Sequence, residues 1–255
     1  MDIVGNGFLA RNLRPLADAH PDTVVLAAGV SSASGTSPEA FAREAALLGE
    51  VAARCRATGR RLLFFSTAST GMYGAGDGPG TEDRPVVPCT PYGAHKLALE
   101  ERLRDSGADH LVLRLSHVVG PGQPPHQLLP GLVRQLREGT VAIHRGAARD
   151  LIGVAEVVTL VDRLLALGLR GQTVNVASGT AVPVTAVVDH LERNLGLTAH
   201  REYHDAPGHA TAGFAISTAK LHCLLPETTL LGFGPAYYRR VLDAFTGHRA
   251  APSAV

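Results

Sequence analysis

Three unbroken apolar runs constrain the fold more than any other feature of the chain. Residues 23–28 (TVVLAA), 61–66 (RLLFFS) and 111–119 (LVLRLSHVV) carry apolar side chains without the alternation of a half-wet strand. Such runs mark strands covered on both faces. Helical patterns separate them. One spans 38–58, opened by Ser37 as N-cap before Pro38 and ended near Gly59, and another spans 92–105. Buried strands alternating with helices of this length pair in parallel, because a parallel neighbour is reached only by a crossover.

The rest of the chain extends this pattern. An apolar start at 1–4 breaks at Gly5-Asn6-Gly7 and leads into a helix over 8–17. Helices are expected at 128–137, 154–167 and 184–195, and strands at 141–144 and 173–176. Residues 198–215 show no period, and the Gly/Pro-rich stretch 71–91 reads as loop. The expected fold is α/β, a Rossmann-like doubly wound parallel sheet with a small C-terminal substrate-binding lobe. Residues 1–120 plus 145–180 are assigned to the nucleotide-binding core, 121–144 plus 181–250 to the lobe, and 251–255 to a tail.

Composition narrows the function classes. The 255 residues are 45% hydrophobic, enough for a sizeable core. A net charge of +1 gives no electrostatic footprint for nucleic acid or an anionic membrane. No apolar run reaches the roughly 18–20 residues of a membrane span, and the first residues do not read as a signal peptide. Cys55, Cys89 and Cys223 stand far apart, which suggests reduced thiols in a cytoplasmic protein. No metal site is expected: His200, His204 and His209, with His222 beside Cys223, are too loosely spaced for ligation.

Gly5-Asn6-Gly7-Phe8-Leu9-Ala10 fits G-x-G-x-x-A directly between a strand and a helix. That turn lets a pyrophosphate approach backbone N–H groups that a Cβ would screen. A dinucleotide site also wants an acidic residue at a second strand end, about 20 residues on, for the adenosine ribose. Little chain separates the first helix from the strand at 23–28, and that strand ends without an acid; Asp18 and Asp22 lie nearby but not at its end. The first βαβ unit is therefore shortened, and the adenosine half must be held differently, with Arg11 or Arg14 near a phosphate.

Tyr92-Gly93-Ala94-His95-Lys96 is Y-x-x-x-K at the start of a helix. The spacing puts both side chains on one face. An ammonium beside a phenol favours the phenolate and tunes it for proton transfer at a carbinol oxygen. Of 24 basic residues, 22 are arginine; the lysines are Lys96 and Lys220. A compact ammonium at position 96 has work that a planar guanidinium does poorly.

The chain resembles the extended short-chain dehydrogenases/reductases of the nucleotide-sugar epimerase/dehydratase type. The resemblance is carried by GNGFLARNL (5–13), VVLAAGVS (24–31), LLFFSTAS (62–69), MYG (72–74), TEDRPVVPCTPYGAHKLALEERL (81–103), LRLSHVVGPG (113–122), RDLIGVAEVV (149–158), VNVASG (174–179) and TAKLHCLLPE (218–227). It implies NAD or NADP as cofactor and a small-molecule substrate, a nucleotide-sugar. It also implies Tyr92 as acid/base, Lys96 as its partner, and a Ser/Thr from the STAS segment. Counting from the strand selects Thr67; counting back from Tyr73 selects Ser69. The cofactor would lie along Gly5, Gly7, Phe8, Leu9, Ala10 and Arg11, then Ala27 and Ala28, then Tyr92, Lys96, Ser116 and Val118. Substrate would meet Thr70, His117, His126 and Arg149. A homodimer through 38–58 and 92–105 is implied, with neither nucleic acid nor membrane as partner.

The sequence also departs from the family. Ala68-Ser69 stands where dehydratases of this type carry Asp-Glu, which argues against water elimination by that route. Ala155 stands where relatives usually carry Asp, and nothing in the sequence explains the change. The expected activity is ketoreduction or epimerisation. The alternatives are a binding protein that keeps the fold without cofactor, or a reductase or isomerase of a non-sugar metabolite.

Overall fold

The computed structural model describes residues 1–31, 37–74, 79–205 and 215–247. The chain begins β1 (Asp2–Val4), α1 (Phe8–Leu13), β2 (Thr23–Leu26), α2 (Pro38–Thr58), β3 (Arg61–Thr67), α3 (Thr70–Tyr73) and α4 (Pro91–Asp105). It continues with β4 (His110–Leu115), β5 (His117–Val119), α5 (Leu128–Glu138), β6 (Thr140–His144), β7 (Ala148–Gly153), α6 (Val154–Ala166) and β8 (Gln172–Val176). The last elements are β9 (Ala181–Pro183), α7 (Val184–Leu195), β10 (His200–His204), α8 (Ala219–Leu224) and α9 (Tyr237–Thr246).

Five parallel strands form the main sheet in the order β1-β2-β3-β4-β8. Val4, Leu26, Phe64, Val112 and Thr173 lie in register across it. Successive side chains face opposite ways, and each face finds a helical layer. Val25, Leu63, Phe65, Leu111 and Leu113 pack with Leu13 of α1 and with Val157, Leu160 and Val161 of α6. Val24, Leu26, Leu62, Phe64 and Val112 pack under Leu48, Val51 and Cys55 of α2 and Leu99 and Leu103 of α4. Helices thus cover both faces, which is why the strands show no polar alternation.

The connections step across the sheet in one direction, yet α1 lies on the face opposite α2 and α4. Parallel crossovers that advance the same way over opposite faces have opposite hands. α2 and α4 follow the usual right-handed rule, so the short β1–β2 connection has the opposite hand, as does the β4–β8 connection through α6 on the same face. The β1–β2 connection is tight: Pro15 ends α1 after Leu13, Arg14–Leu16 form a 3₁₀ turn, and His20 takes a left-handed φ of 52°. The His20 ring lies 2.8 Å from Asp162 of α6, which pins that turn.

A separate apolar cluster joins Leu129, Leu132 and Leu136 of α5 to Val187, Val188 and Leu191 of α7 and to Val241 and Leu242 of α9. Tyr237 belongs to it, and its hydroxyl accepts from the Gly153 amide at 2.9 Å. Among the described residues no helix is long and apolar enough to cross a membrane.

Several elements differ from the sequence reading, among them α3 in the stretch read as loop and the strands β7 and β9, which it did not anticipate. The helix expected to Ala17 stops at Leu13, because Pro15 cannot extend its ladder. The run 111–119 breaks at Ser116: β4 stays in the main sheet, whereas β5 pairs with β7 in a second sheet completed by β9. Residues 200–204 form β10, which pairs in parallel with β6. His209, of the histidine group set aside above, lies outside the described residues.

Under the rim of the sheet, Arg114 of β4 makes a fork to Glu100 of α4, Nε to Oε1 at 3.0 Å and Nη2 to Oε2 at 2.7 Å. Both side chains are buried. Arg114 also donates to the Tyr73 hydroxyl, which donates to Asn175 Oδ1 at 2.5 Å. Removing one partner strands the other's charge in the core. Arg114→Met is therefore expected to lower the stability measured by urea unfolding by about 3–5 kcal/mol, and Arg114→Met/Glu100→Leu to recover most of it. A double variant as unstable as the single one would contradict this balance.

Candidate active site

The strand ends converge on one rim of the sheet, and a cavity of about 520 Å³ opens there. That volume suits a small-molecule ligand. Its floor is Leu26 to Ser31, Phe65 to Thr67 with Ser69, and Leu115 to Val118. The first turn of α1 supplies Asn6 to Leu9, α4 supplies Tyr92 and Lys96, and the loop into α5 supplies Gln123, His126 and Gln127.

The loops after β1 and β2 lead to helices on opposite faces, so a crevice opens between the two strand ends, where α/β sheets bind ligands. Gly5 makes the approach there, at φ 129°; a Cβ would lie 2.6 Å from the Ala27 carbonyl oxygen. Gly7 lines the cavity at an ordinary φ of −73° and caps α1 without a side-chain hydrogen bond. The first-turn amides are thus left for a ligand, as a diphosphate requires. This cradle fits the phosphates of a dinucleotide. Ala10 is buried and does not line the cavity. Arg11 donates to Asn6 O and Gly122 O, joining the glycine turn to the Gly120-Pro121-Gly122 loop, and it does not line the cavity.

α4 begins as its sequence dictates, with Thr90 as N-cap accepting from the Gly93 amide at 3.1 Å and Pro91 in the first turn. Its first two turns carry Tyr92 and Lys96 into the cavity. The Tyr92 phenol is hydrogen-bonded to Thr67. Ser69 also lines the cavity, but its backbone amide donates to Thr67 Oγ1 at 3.2 Å. Of the two hydroxyls that counting left open, Thr67 is therefore the one joined to Tyr92.

The expectation that Lys96 draws Tyr92 below its ordinary pKa is corrected. Burial pushes the phenol up, Lys96 pulls it down, Glu44 pushes it up again, and the Thr67 hydrogen bond pulls it down; the net shift is upward. Glu44 of α2 reaches the cavity wall, buried, with Oε1 2.6 Å from Lys96 Nζ and Oε2 2.9 Å from His95 Nε2. Sequence reasoning missed it. The available signal was a carboxylate on the apolar stripe 44, 48, 51, 52 and 55 of α2.

His117 and Val118 of β5, Ser116 and His126 line the cavity. Arg149 does not; it stands behind His117, and Nη1 donates to the Ala148 carbonyl. Burial and the neighbouring Arg149 hold His117 down at about 4, a neutral imidazole at ordinary pH. Ala27 and Ala28 line the cavity as expected, whereas the Thr70 side chain lies outside the described part. Ala68 is packed against Ala177 and Ile216, so no carboxylate follows Thr67.

The chain is 31% identical over 192 residues to dTDP-6-deoxy-L-talose 4-dehydrogenase (NAD(P)(+)) of Kitasatospora kifunensis, covering 69% of this chain and 59% of that one. The chain spans about half the length of most of the curated relatives it matches. Its fold superposes on that of RMD from Pseudomonas aeruginosa complexed with NADPH, at TM-score 0.75 and 21% identity, covering 96% of this chain and 98% of that one. It also superposes on MoeE5 in complex with UDP-glucuronic acid and NAD, at TM-score 0.74 and 25% identity, covering 96% and 84%. The sequence pattern of the NAD dependent epimerase/dehydratase family matches residues 10–177, two-thirds of the chain. The protein belongs to the NAD dependent epimerase/dehydratase family.

Proposed function

We propose that the protein is an NAD(P)-dependent oxidoreductase acting on a nucleotide-activated sugar, with reduction of a keto sugar as its reaction. The observation that carries this reading is one cavity holding the glycine cradle at one end and the Thr67–Tyr92–Lys96 group at the other. Gly7, Phe8 and Leu9 would hold the diphosphate, and Ala27, Ala28, Ser116 and Val118 would flank the rest of the cofactor. When bound, the nicotinamide supplies hydride exchange at the carbinol carbon. Thr67 holds the substrate oxygen, and Tyr92 gives its hydroxyl proton to that oxygen. Lys96 keeps a positive charge beside the phenolate that remains.

The sugar would lie on the side of His117 and His126, which line the cavity with Gln123 and Gln127 as further donors and acceptors. Arg149 reaches the substrate through His117 rather than by lining the cavity. α5, α7 and α9 form the substrate lobe, and α2 with α4 offers the face for a homodimer. Epimerisation is the second reading, favoured by the family's name, since the same proton and hydride groups would serve it. Among the described residues, the edge position of β1 leaves the outer side of the glycine turn without a strand, which supports an exchanging cofactor and hence reduction.

Nucleotide-activated 4-keto sugars are expected to oxidise NADH or NADPH in the presence of the protein, followed by loss of nicotinamide absorbance. Tyr92→Phe should lower turnover about 10²–10⁴-fold, and Thr67→Val should cost more than Ser69→Ala. Lys96→Arg is expected to fold normally and lose most activity; near-normal turnover would remove the ammonium from the reaction. No turnover, together with no melting shift from either cofactor, would support the non-catalytic binder.

His117 adds a pH prediction. Its folded pKa of about 4 lies below its unfolded value of about 6.5. Below pH 6.5 the unfolded chain therefore binds the extra proton, and stability falls until the pH reaches about 4. Wild type should lose on the order of 2–3 kcal/mol across that window from this group. His117→Gln should flatten the loss in unfolding titrations; an unchanged slope would contradict the assignment.

A further inference from the structure

Glu44 is the one carboxylate among the described residues that line the cavity. It comes from α2, a helix otherwise packed against the sheet by apolar side chains. Its carboxylate is enclosed on three sides. Lys96 Nζ lies 2.6 Å from Oε1, and His95 Nε2 lies 2.9 Å from Oε2. The Val30 amide donates to Oε2 at 3.2 Å. The Phe41 ring stacks on the His95 ring with centroids 4.1 Å apart, holding that partner still. A Cβ on Gly29 would lie 2.2 Å from Glu44 Oε1, so the backbone after β2 is shaped around this carboxylate.

Lys96 is correspondingly constrained. Its ammonium has the carboxylate on one side and the Phe65 carbonyl at 3.5 Å on another. It sits 5.8 Å from the centre of the Tyr92 ring. The charges facing Tyr92 are thus a close pair of opposite sign, Lys96 from α4 and Glu44 from α2, with the Thr67 hydroxyl of β3 bonded to the phenol. Other ionisable groups around the cavity are His95 behind Glu44 and His117 and His126 in the remaining lining. A buried ammonium alone would favour phenolate; a buried pair leaves a much smaller field.

We propose that Glu44 is a positioning residue that anchors the Lys96 ammonium and offsets its charge beside Tyr92, so that Tyr92 rests protonated and the site is set to donate a proton to a carbonyl. The directional part rests on the reductase reading above. In that direction the Tyr92 O–H bond breaks and a new O–H bond forms on the substrate oxygen. The carbonyl carbon takes the hydride of a reduced nicotinamide cofactor, and solvent restores the tyrosine proton. The Glu44–Lys96 contact itself does not depend on the reading of the reaction; burial is the first cause of the upward displacement of the Tyr92 phenol, and Glu44 adds to it against Lys96.

The test is a phenolate titration of the unliganded protein by ultraviolet difference absorbance, with Tyr92→Phe subtracted in each background to isolate Tyr92. In Glu44→Gln the Tyr92 midpoint should move down by about one pH unit or more. In Lys96→Met it should move up, and Glu44→Gln/Lys96→Met should return toward wild type. A midpoint unmoved or raised in Glu44→Gln would overturn the proposal. Should Glu44→Gln not fold, Glu44→Asp decides: the shorter side chain loosens the pair, so a lowered Tyr92 midpoint supports the proposal, and an unmoved or raised one overturns it. With a keto substrate, Glu44→Gln should also lose reductive turnover at lower pH than wild type. Shifts as expected without turnover of any keto sugar would leave the role of Glu44 standing and overturn the reductase reading alone.

Discussion

The structure depends on the close contact between the end of β1 and the end of β2. Gly5 crosses the Ala27 carbonyl at a distance that no side chain would permit. That crossing lets β1 pair in parallel with β2 after only a short helix and a 3₁₀ turn. It also brings the two segments that would flank a dinucleotide, the glycine turn and Ala27-Ala28, to the same point on the rim. Everything else in the site is referred to that rim, because parallel strands end on one side of a sheet.

In a doubly wound sheet the crevice for ligand arises where loops from neighbouring strands diverge to opposite faces. Reversal of strand order normally produces that divergence. Here the order runs one way from β1 to β8, and the divergence comes instead from the hand of the β1–β2 crossover, which places α1 opposite α2. The crevice is retained although β1 is the edge strand. The consequence is asymmetric: the cavity is walled by β2, β3, β4 and the start of β5, whereas among the described residues no strand lies beyond β1. The nicotinamide end of a cofactor would therefore be held far more closely than the adenosine end.

Much of this was legible in the sequence because local and tertiary signals agree. Residues 38–58 are punctuated by Ser37, Pro38 and Gly59, and the helix has those bounds. Residues 61–66 are apolar on both faces because α6 and α4 cover both faces. Tyr92 and Lys96 were readable as a pair because i,i+4 spacing on a helix leaves little freedom. The break at Ser116 was not readable: apolar residues continue across it, and only pairing of β5 with β7 draws the chain away. β10 was invisible because its side chains are mostly exposed and its pairing with β6 is long-range. Glu44 escaped for another reason. Its role exists only once α2 and α4 lie side by side, a contact that no spacing within either helix encodes.

The central claim is that a nicotinamide dinucleotide lies across the glycine turn at the β1–β2 crevice. The most direct measurement is equilibrium binding of NADH and NADPH, followed by nicotinamide fluorescence, to wild type and to Gly7→Val. Gly7 has an ordinary φ, and a Cβ there would meet the Ala27 carbonyl oxygen only at an ordinary contact distance of 4.0 Å, so a valine should leave the melting temperature nearly unchanged while filling the cradle. The account predicts saturable binding of at least one cofactor by wild type and a loss of about tenfold or more in Gly7→Val, near 1.4 kcal/mol. Equal affinity in both proteins, or no saturable binding by wild type, would contradict it.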